Sequence, residues 1–165
     1  MRPSWAVMLS HPSLADIPFD GAFVNEGPIS WIANNSSKPG RTDNHSWVIH
    51  GSADWSEQNI DATPEDVLQT LGAAFESLVG KQIESPIYAR AHRWRYAIPK
   101  NPLDCEFLLD MTTGLGACGD WCAGSRVERA FLSGMATAGA LLRHVTIDRA
   151  PASGARSQHQ PKLFA

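Results

Sequence analysis

Several features that define common protein classes are scarce in this 165-residue chain. It has only three cysteines, an odd number, and enough apolar residues to fold without cross-links, so we expect a reduced protein. No apolar run approaches the roughly 18 residues of a membrane-spanning helix, and the N-terminus lacks the apolar core of a signal peptide. The formal net charge of -3 provides no basic surface for nucleic acid or anionic membranes. We therefore expect a cytoplasmic protein that binds neither nucleic acid nor membrane.

The residues that are present describe a folded α/β chain. With 43% hydrophobic and 19% charged residues, the sequence can bury a substantial core. Cys118 and Cys122 lie four positions apart, but no His or Cys pair at zinc-site spacing accompanies them, so we expect buried thiols and no metal. A disulfide between these two cysteines stays open at this point, because it depends on the separation of their Cα atoms.

A helix that begins near Pro64 has the strongest local signals. Thr63 is a typical N-cap residue, Pro64 suits the first helical position, and Gly80 provides a stop. The apolar residues between them recur every three or four positions and predict one buried face: Val67, Leu68, Leu71, Phe75, Leu78 and Val79.

Short apolar runs separated by Gly, Pro and Asn predict strands in the rest of the chain. The predicted strands cover residues 5–11, 22–25, 29–34, 46–51, 87–96, 106–110 and 115–118. A helical turn is predicted at 54–59 and a final helix from about Arg126 to His144. We expect an α/β fold with a mixed sheet and one covering helix.

The stretch from the last predicted strand into the final helix carries the most specific chemistry. Gly119 and Asp120 close the strand, and Gly124 allows the backbone to approach a ligand before the helix begins. A carboxylate can accept hydrogen bonds from ligand hydroxyls, and the unpaired N–H groups of a helix start favour an anion, as in dinucleotide sites. The alternative is that Asp120 only caps the helix and the glycines only permit close packing.

The same stretch resembles a known family. The sequence GACGDWCAGSRVERAFLSG (116–134) resembles the C-terminal flavin-binding segment of renalase-like FAD-dependent oxidoreductases, relatives of the flavin amine oxidases. Residues 19–41, 45–56 and 91–99 resemble successive blocks of that family in the same order. The resemblance implies a substrate-domain portion at 1–112 and the C-terminal strand and helix of a Rossmann-like FAD-binding domain at 113–146. A disordered tail is expected at 147–165 from its composition.

The resemblance also implies roles for individual residues. Asp120 matches the acid that binds the ribityl and pyrophosphate region of FAD, next to Gly119 and Gly124. Arg126, Val127 and Glu128 match the helix start whose backbone contacts the flavin ring. Trp94 matches a position near the flavin and the substrate cavity, where an indole can stack on a planar ring. The candidate substrate-binding residues are its neighbours His92, Arg93 and Arg95. One arginine could pair with a carboxylate while the other receives a nicotinamide phosphate, but structural pairing is the simpler interpretation of the two arginines.

The family chemistry is the oxidation of reduced nicotinamide dinucleotides. It implies NAD(P)H as substrate, a non-covalent FAD that accepts the hydride, and reoxidation by oxygen to hydrogen peroxide. Such enzymes begin with a strand, a Gly-rich turn and a helix that hold the FAD diphosphate, and no such N-terminal module opens this sequence. We therefore expect the C-terminal half of an oxidoreductase that needs a complementary N-terminal half. The alternative is a non-catalytic remnant or interaction module that keeps the fold without flavin.

A separate expectation concerns the end of the chain. Residues 160–164, QPKLF, loosely resemble the peptide by which bacterial proteins bind the replication sliding clamp. Five residues match such a motif easily by chance, so this partner is a minor alternative.

Overall fold

The computed structural model describes residues 1–42 and 44–148. It has a mixed α/β composition, with a five-stranded sheet and three α-helices in the described residues. The chain divides into two compact units, Met1–Asn101 and a second unit that begins at Pro102. The division at 112/113 inferred from the family resemblance stays a prediction.

The first unit is built on the five-stranded sheet. Its strands have the order β2-β3-β4-β1-β5, and every neighbouring pair is antiparallel. The expectation of a mixed sheet therefore needs correction: β4 and β5 run in the same direction, but β1 lies between them and opposes both. The strands are β1 (Arg2–Ser10), β2 (Gly21–Phe23), β3 (Ile29–Asn34), β4 (Ser46–Gly51) and β5 (Tyr88–Ile98).

Two helices connect β4 to β5, and their ends follow the local sequence signals. The short α1 spans Ala53–Gln58 and is capped by Ser52. The longer α2 spans Pro64–Val79, and the Thr63 hydroxyl accepts a hydrogen bond from the Asp66 N–H at 3.2 Å. Gly80 ends α2 in the left-handed region at φ 66°. The predicted cap, first-turn proline and glycine stop of α2 are confirmed.

The core lies between α2 and one face of the sheet. Val67, Leu71 and Phe75 of α2 are buried against the sheet. Each large apolar side chain buried here stabilises the fold by about 1.5–3 kcal/mol relative to an exposed one. The sheet contributes alternate residues of its strands, which are Trp5, Val7, Leu9, Ile32, Trp47, Ile49 and Ala91.

The second unit contains a short hairpin and the longest helix. Its strands β6 (Leu108–Asp110) and β7 (Leu115–Ala117) pair antiparallel, and α3 spans Val127–Asp148. The proposed tail begins within the last two residues of α3, and its remainder, including the clamp-like residues 160–164, lies outside the described residues. In the described part of the chain, no helix is long and apolar enough to cross a membrane.

Candidate functional site

The loop between β7 and α3 holds the predicted cofactor residues. Two hydrogen bonds join it to Leu103, whose N–H donates to the Trp121 carbonyl and whose carbonyl accepts from the Ala123 N–H, both at 2.8 Å. The Gly119 N–H donates to the Ser133 hydroxyl of α3 at 3.0 Å, and that hydroxyl donates in turn to the Glu106 carbonyl. Ser133 is buried. The loop is thus fixed to the helix that follows it, through a serine that no sequence pattern singles out.

Asp120 lies in this loop with a half-buried side chain. Among residues 1–42 and 44–148, no hydrogen-bond or ion-pair partner of its carboxylate is found, and no bond joins it to the start of α3. The simple capping role considered from the sequence is therefore not the arrangement seen. A half-buried carboxylate without a protein partner can accept hydrogen bonds from a ligand.

The N-terminus of α3 presents free backbone donors. The Arg126 N–H donates to the Gly124 carbonyl at 3.1 Å, but within the described ranges the N–H groups of Val127, Glu128 and Arg129 have no acceptor. The Val127 residue is 89% exposed, so solvent or a ligand can reach this helix end. The helix dipole adds partial positive charge at the same place. Both the donors and the field favour an anionic or polar acceptor.

The backbone of the loop explains two of its glycines. Gly124 has φ 127°, a conformation that side-chain-bearing residues rarely adopt. A Cβ on Gly119 would lie 2.5 Å from Nε1 of Trp121, so any other residue there would require the indole to move. Gly114, Gly116 and Gly119 also match the spacing G-x-G-x-x-G. Gly116 lies inside β7, however, and α3 begins only at Val127, so these glycines do not form the strand-turn-helix fingerprint.

The second unit contains a cavity of about 460 Å³ beside α3. Glu106, Phe107, Cys122 and Ala123 line one part of it, and the α3 residues Arg129, Leu132, Ser133, Met135, Ala136, Gly139 and Arg143 line the rest. The predicted cofactor residues are not among the lining residues, although Ala123 and Arg129 immediately flank them. The cavity has both a carboxylate and two guanidinium groups on its wall.

In the first unit, the open face of the sheet holds two of the four other candidates. His92 and Trp94 project from β5 on the side opposite α2, because they alternate with the core residue Ala91 and with the half-buried Arg93. Their rings pack edge to face, with centroids 4.6 Å apart and an interplanar angle of 70°. Trp94 is 56% exposed, so much of the indole is available to a ligand.

Arg93 and Arg95 do not join His92 and Trp94. Arg93 lies on the α2 side of the sheet, where its Nη1 donates to the Ile60 carbonyl at 2.6 Å. Arg95 places Nη2 3.5 Å from a carboxylate oxygen of Asp61. The structure thus gives both arginines protein partners on one face and leaves the histidine and tryptophan on the other.

The register of the sheet adds residues that sequence reasoning passed over. His50 of β4 pairs with Trp31 of β3 on one side and with Ala6 of β1 on the other, and Ala6 pairs with His92. With strands about 4.8 Å apart, the two histidines stand about 10 Å apart across the small Ala6 side chain. Burial lowers the pKa of His50, and the positive charge of Lys38 lowers it further. Only the strand pairing could have revealed this row.

The strand residues of the open face include basic side chains but no acidic ones in the described sheet. The face carries two histidines and Arg90. Aromatic rings and cationic or neutral N–H donors together suit a planar, negatively charged ligand. The residues on this open face include Ser4, Ala6, Met8, Ser10, Phe23, Trp31, Ala33, Ser46, Val48, His50, Tyr88, Arg90, His92 and Trp94.

A scan of the chain against models of known protein families found no match. In the described part of the chain, no group of three or more His, Cys, Asp or Glu side chains is placed to hold a metal ion.

Proposed function

We propose that this chain is the C-terminal portion of a renalase-like, FAD-dependent oxidoreductase that oxidises reduced nicotinamide dinucleotides. The observation that carries the proposal concerns the loop before α3 and the helix start. Among the described residues, the Asp120 carboxylate has no partner and three N–H groups at the start of α3 have no acceptor. A carboxylate acceptor next to backbone donors matches a ligand that has both sugar hydroxyls and electron-rich oxygen or nitrogen atoms. FAD has both.

The residues present fit the cofactor that the resemblance implies. Asp120 would accept hydrogen bonds from ribityl hydroxyls, and Gly124 puts no side chain between the loop backbone and a ligand. Gly119 would contribute by position only, because it packs against the Trp121 indole and its N–H is bonded to Ser133. Arg126, Val127 and Glu128 would offer backbone rather than side-chain groups to the flavin ring. When bound, FAD supplies the capacity to take two electrons from a reduced nicotinamide and to pass them to oxygen.

The open face of the sheet supports a substrate role for the first unit. Trp94 and His92 offer an indole face and a ring N–H, and His50 and Trp31 extend the same row. We propose that this face receives the nicotinamide dinucleotide, whose planar rings and phosphates match its aromatic and basic character. Arg93 and Arg95 are assigned to the fold rather than to the substrate.

The proposal includes a partner. The FAD diphosphate module of the family is not found in the 165 residues, so we propose that a complementary N-terminal half completes the cofactor site. Large apolar side chains are exposed on α3 and on the hairpin, which is the kind of surface that a second folded segment covers. They include Leu115, Phe131, Met135 and Leu142.

The test is reconstitution. The chain is expressed with and without the N-terminal half of a renalase-like enzyme, and the purified protein is examined for flavin absorbance and for NAD(P)H-dependent peroxide. We expect bound flavin and peroxide only in the combined sample. Absence of flavin from both samples, with both halves folded by circular dichroism, contradicts the proposal.

Two matched variants sharpen the result. Asp120→Asn keeps the size of the side chain but removes its charge, and we expect at least about tenfold weaker flavin binding, or about 1.4 kcal/mol, in line with lost charge-assisted hydrogen bonds. Asp104→Asn changes an exposed acid of the same unit and should leave flavin binding unchanged. Equal effects of the two variants would remove the argument for Asp120.

The second candidate function is an interaction module without flavin. The exposed apolar residues of α3 favour it independently of the loop chemistry, because such a surface stabilises protein association. A complementary half that binds the chain equally well with wild-type Asp120 and with Asp120→Asn, but never retains flavin, would support this alternative.

A further inference from the structure

Two of the three cysteines lie side by side in the second unit. Leu103 forms a parallel β-bridge with Cys122, held by the two hydrogen bonds from Leu103 to the flanking residues of the loop. Two residues after Leu103, the Cys105 thiol lies near enough to Cys122 for that neighbouring thiol to raise its pKa. The backbone bridge therefore keeps the segment that carries Cys105 next to Cys122.

We propose that Cys105 and Cys122 form a reversible disulfide when the protein meets hydrogen peroxide. The Cys105 thiolate attacks one peroxide oxygen, the O–O bond breaks, and a sulfenic acid and one water form. The Cys122 thiol then attacks the sulfenic sulfur, which releases a second water as the S–S bond forms. In balance, two thiols lose two electrons and two protons, and one peroxide becomes two waters.

Accessibility decides the order of these steps. Cys105 is half-buried, whereas Cys122 is fully buried, so peroxide reaches Cys105 first. Burial raises the pKa of the Cys105 thiol, and Cys122 raises it further, which keeps the first step slow at neutral pH. The second step is fast by comparison, because the bridge between Leu103 and Cys122 keeps the partner thiol nearby.

The geometry separates this pair from the other possible one. The spacing of Cys118 and Cys122 suggests a pair in the sequence, but the Cys118 side chain is exposed while Cys122 faces Cys105. A bond from Cys105 to Cys122 would join residue 105 covalently to the loop that carries Asp120 and Gly124. The proposal does not depend on the flavin function, because the peroxide in the test is added to the isolated chain.

The experiment maps the oxidised thiols of the full chain. The reduced protein is treated with hydrogen peroxide, its remaining thiols are alkylated with iodoacetamide, and the digest is analysed by mass spectrometry without reductant. Chymotrypsin is required, because no Lys or Arg lies between Lys100 and Arg126 and trypsin would leave all three cysteines in one peptide. Cleavage after Phe107 and Trp121 separates them.

We expect a cross-linked Cys105–Cys122 peptide that disappears with dithiothreitol. It should exceed any Cys118-containing cross-link by at least about tenfold, since the bridge keeps the first pair near each other and the Cys118 side chain is exposed. Cys118→Ser should retain this cross-link, and Cys122→Ser should abolish it and leave Cys105 as a sulfenic acid trapped by dimedone. The proposal is overturned if folded wild-type protein yields mainly Cys118 cross-links, or if all three thiols are still alkylated. Both of these outcomes are read on the wild-type chain, so a variant that fails to fold does not affect them.

Discussion

Arg93 lies across Trp5, with the guanidinium carbon 5.5 Å from the centre of the indole ring. Trp5 is a core residue at 2% exposure, and its own N–H donates to the Asn59 carbonyl at 2.9 Å. Arg93 in turn donates to the Ile60 carbonyl, so the arginine and the indole hold the same turn after α1. This contact places the Arg93 side chain at the edge of the core on the α2 side of the sheet. Arg93 therefore cannot bind a ligand on the open face.

The Trp5–Arg93 contact predicts a stability effect. Arg93→Met keeps the aliphatic stem but removes the cation and its hydrogen bond, and we expect a loss of about 1–3 kcal/mol in the free energy of unfolding. Arg90→Met, on the opposite face of β5, should change it by less than about 0.5 kcal/mol. Urea unfolding followed by tryptophan fluorescence measures both. Similar decreases in the free energy of unfolding of the two variants would show that the contact between Arg93 and Trp5 does not stabilise the fold.

Two glycines in and near α3 should respond in opposite directions to alanine. Gly124 has φ 127°, so Gly124→Ala strains the loop and should destabilise the unit by about 1–3 kcal/mol. Gly134 lies inside α3, where an added methyl group would meet no atom within 4 Å outside the helix itself. Gly134→Ala should therefore stabilise the unit by about 0.5–1 kcal/mol. Thermal unfolding by circular dichroism compares them. A gain in melting temperature for Gly124→Ala would contradict the strain at that position.

Asp110 should remain ionised to unusually low pH. The Thr112 hydroxyl, the Thr113 hydroxyl and the Thr112 N–H all donate to its carboxylate, which lowers the pKa from 3.8 to about 2. Because the folded-state pKa is lowered, this stabilisation is fully present above 3.8 and is lost as the pH falls towards about 2. Asp110→Asn should therefore be less stable than wild type at pH 6, with the difference vanishing at low pH. Carboxyl NMR titration gives the pKa directly, and a midpoint near 3.8 would refute the argument.

Local signals in the sequence account for most of the elements. The strands Ile29–Asn34 and Ser46–Gly51 match the predicted bounds because turn-forming residues surround short apolar runs. The helix Pro64–Val79 follows from a cap, a proline and a glycine that each act within one turn. Such signals depend only on neighbours in the chain, which is why they can be read without a fold.

The remaining features depend on which strands become neighbours. Alternation along β5 correctly places Arg93 and Arg95 on the same face of the strand. It does not show which face of the sheet packs against α2. Because Arg93 and Arg95 lie on the α2 side, they bind protein groups rather than a ligand. The row from Trp31 through His50 to His92 needs the register of four strands. The proximity of Cys105 to Cys122 likewise depends on a bridge between two separate segments of the chain.

The position of His50 predicts a pH-dependent stability that a surface histidine would not give. Burial and the charge of Lys38 both favour the neutral ring and lower its pKa below 6.5. Because the pKa of His50 is lowered in the folded protein, the unfolded chain binds the proton more readily. The free energy of unfolding therefore decreases as the pH falls through 6.5, and it stops decreasing below the folded-state pKa. His50→Gln cannot take up the proton, and we expect its stability relative to wild type to improve between pH 7.5 and pH 5. His92→Gln is the matched control on the same face, and denaturant unfolding at both pH values makes the comparison. If the free energies of unfolding of the two variants change equally with pH relative to wild type, the fold does not favour the neutral form of His50, and the prediction is wrong.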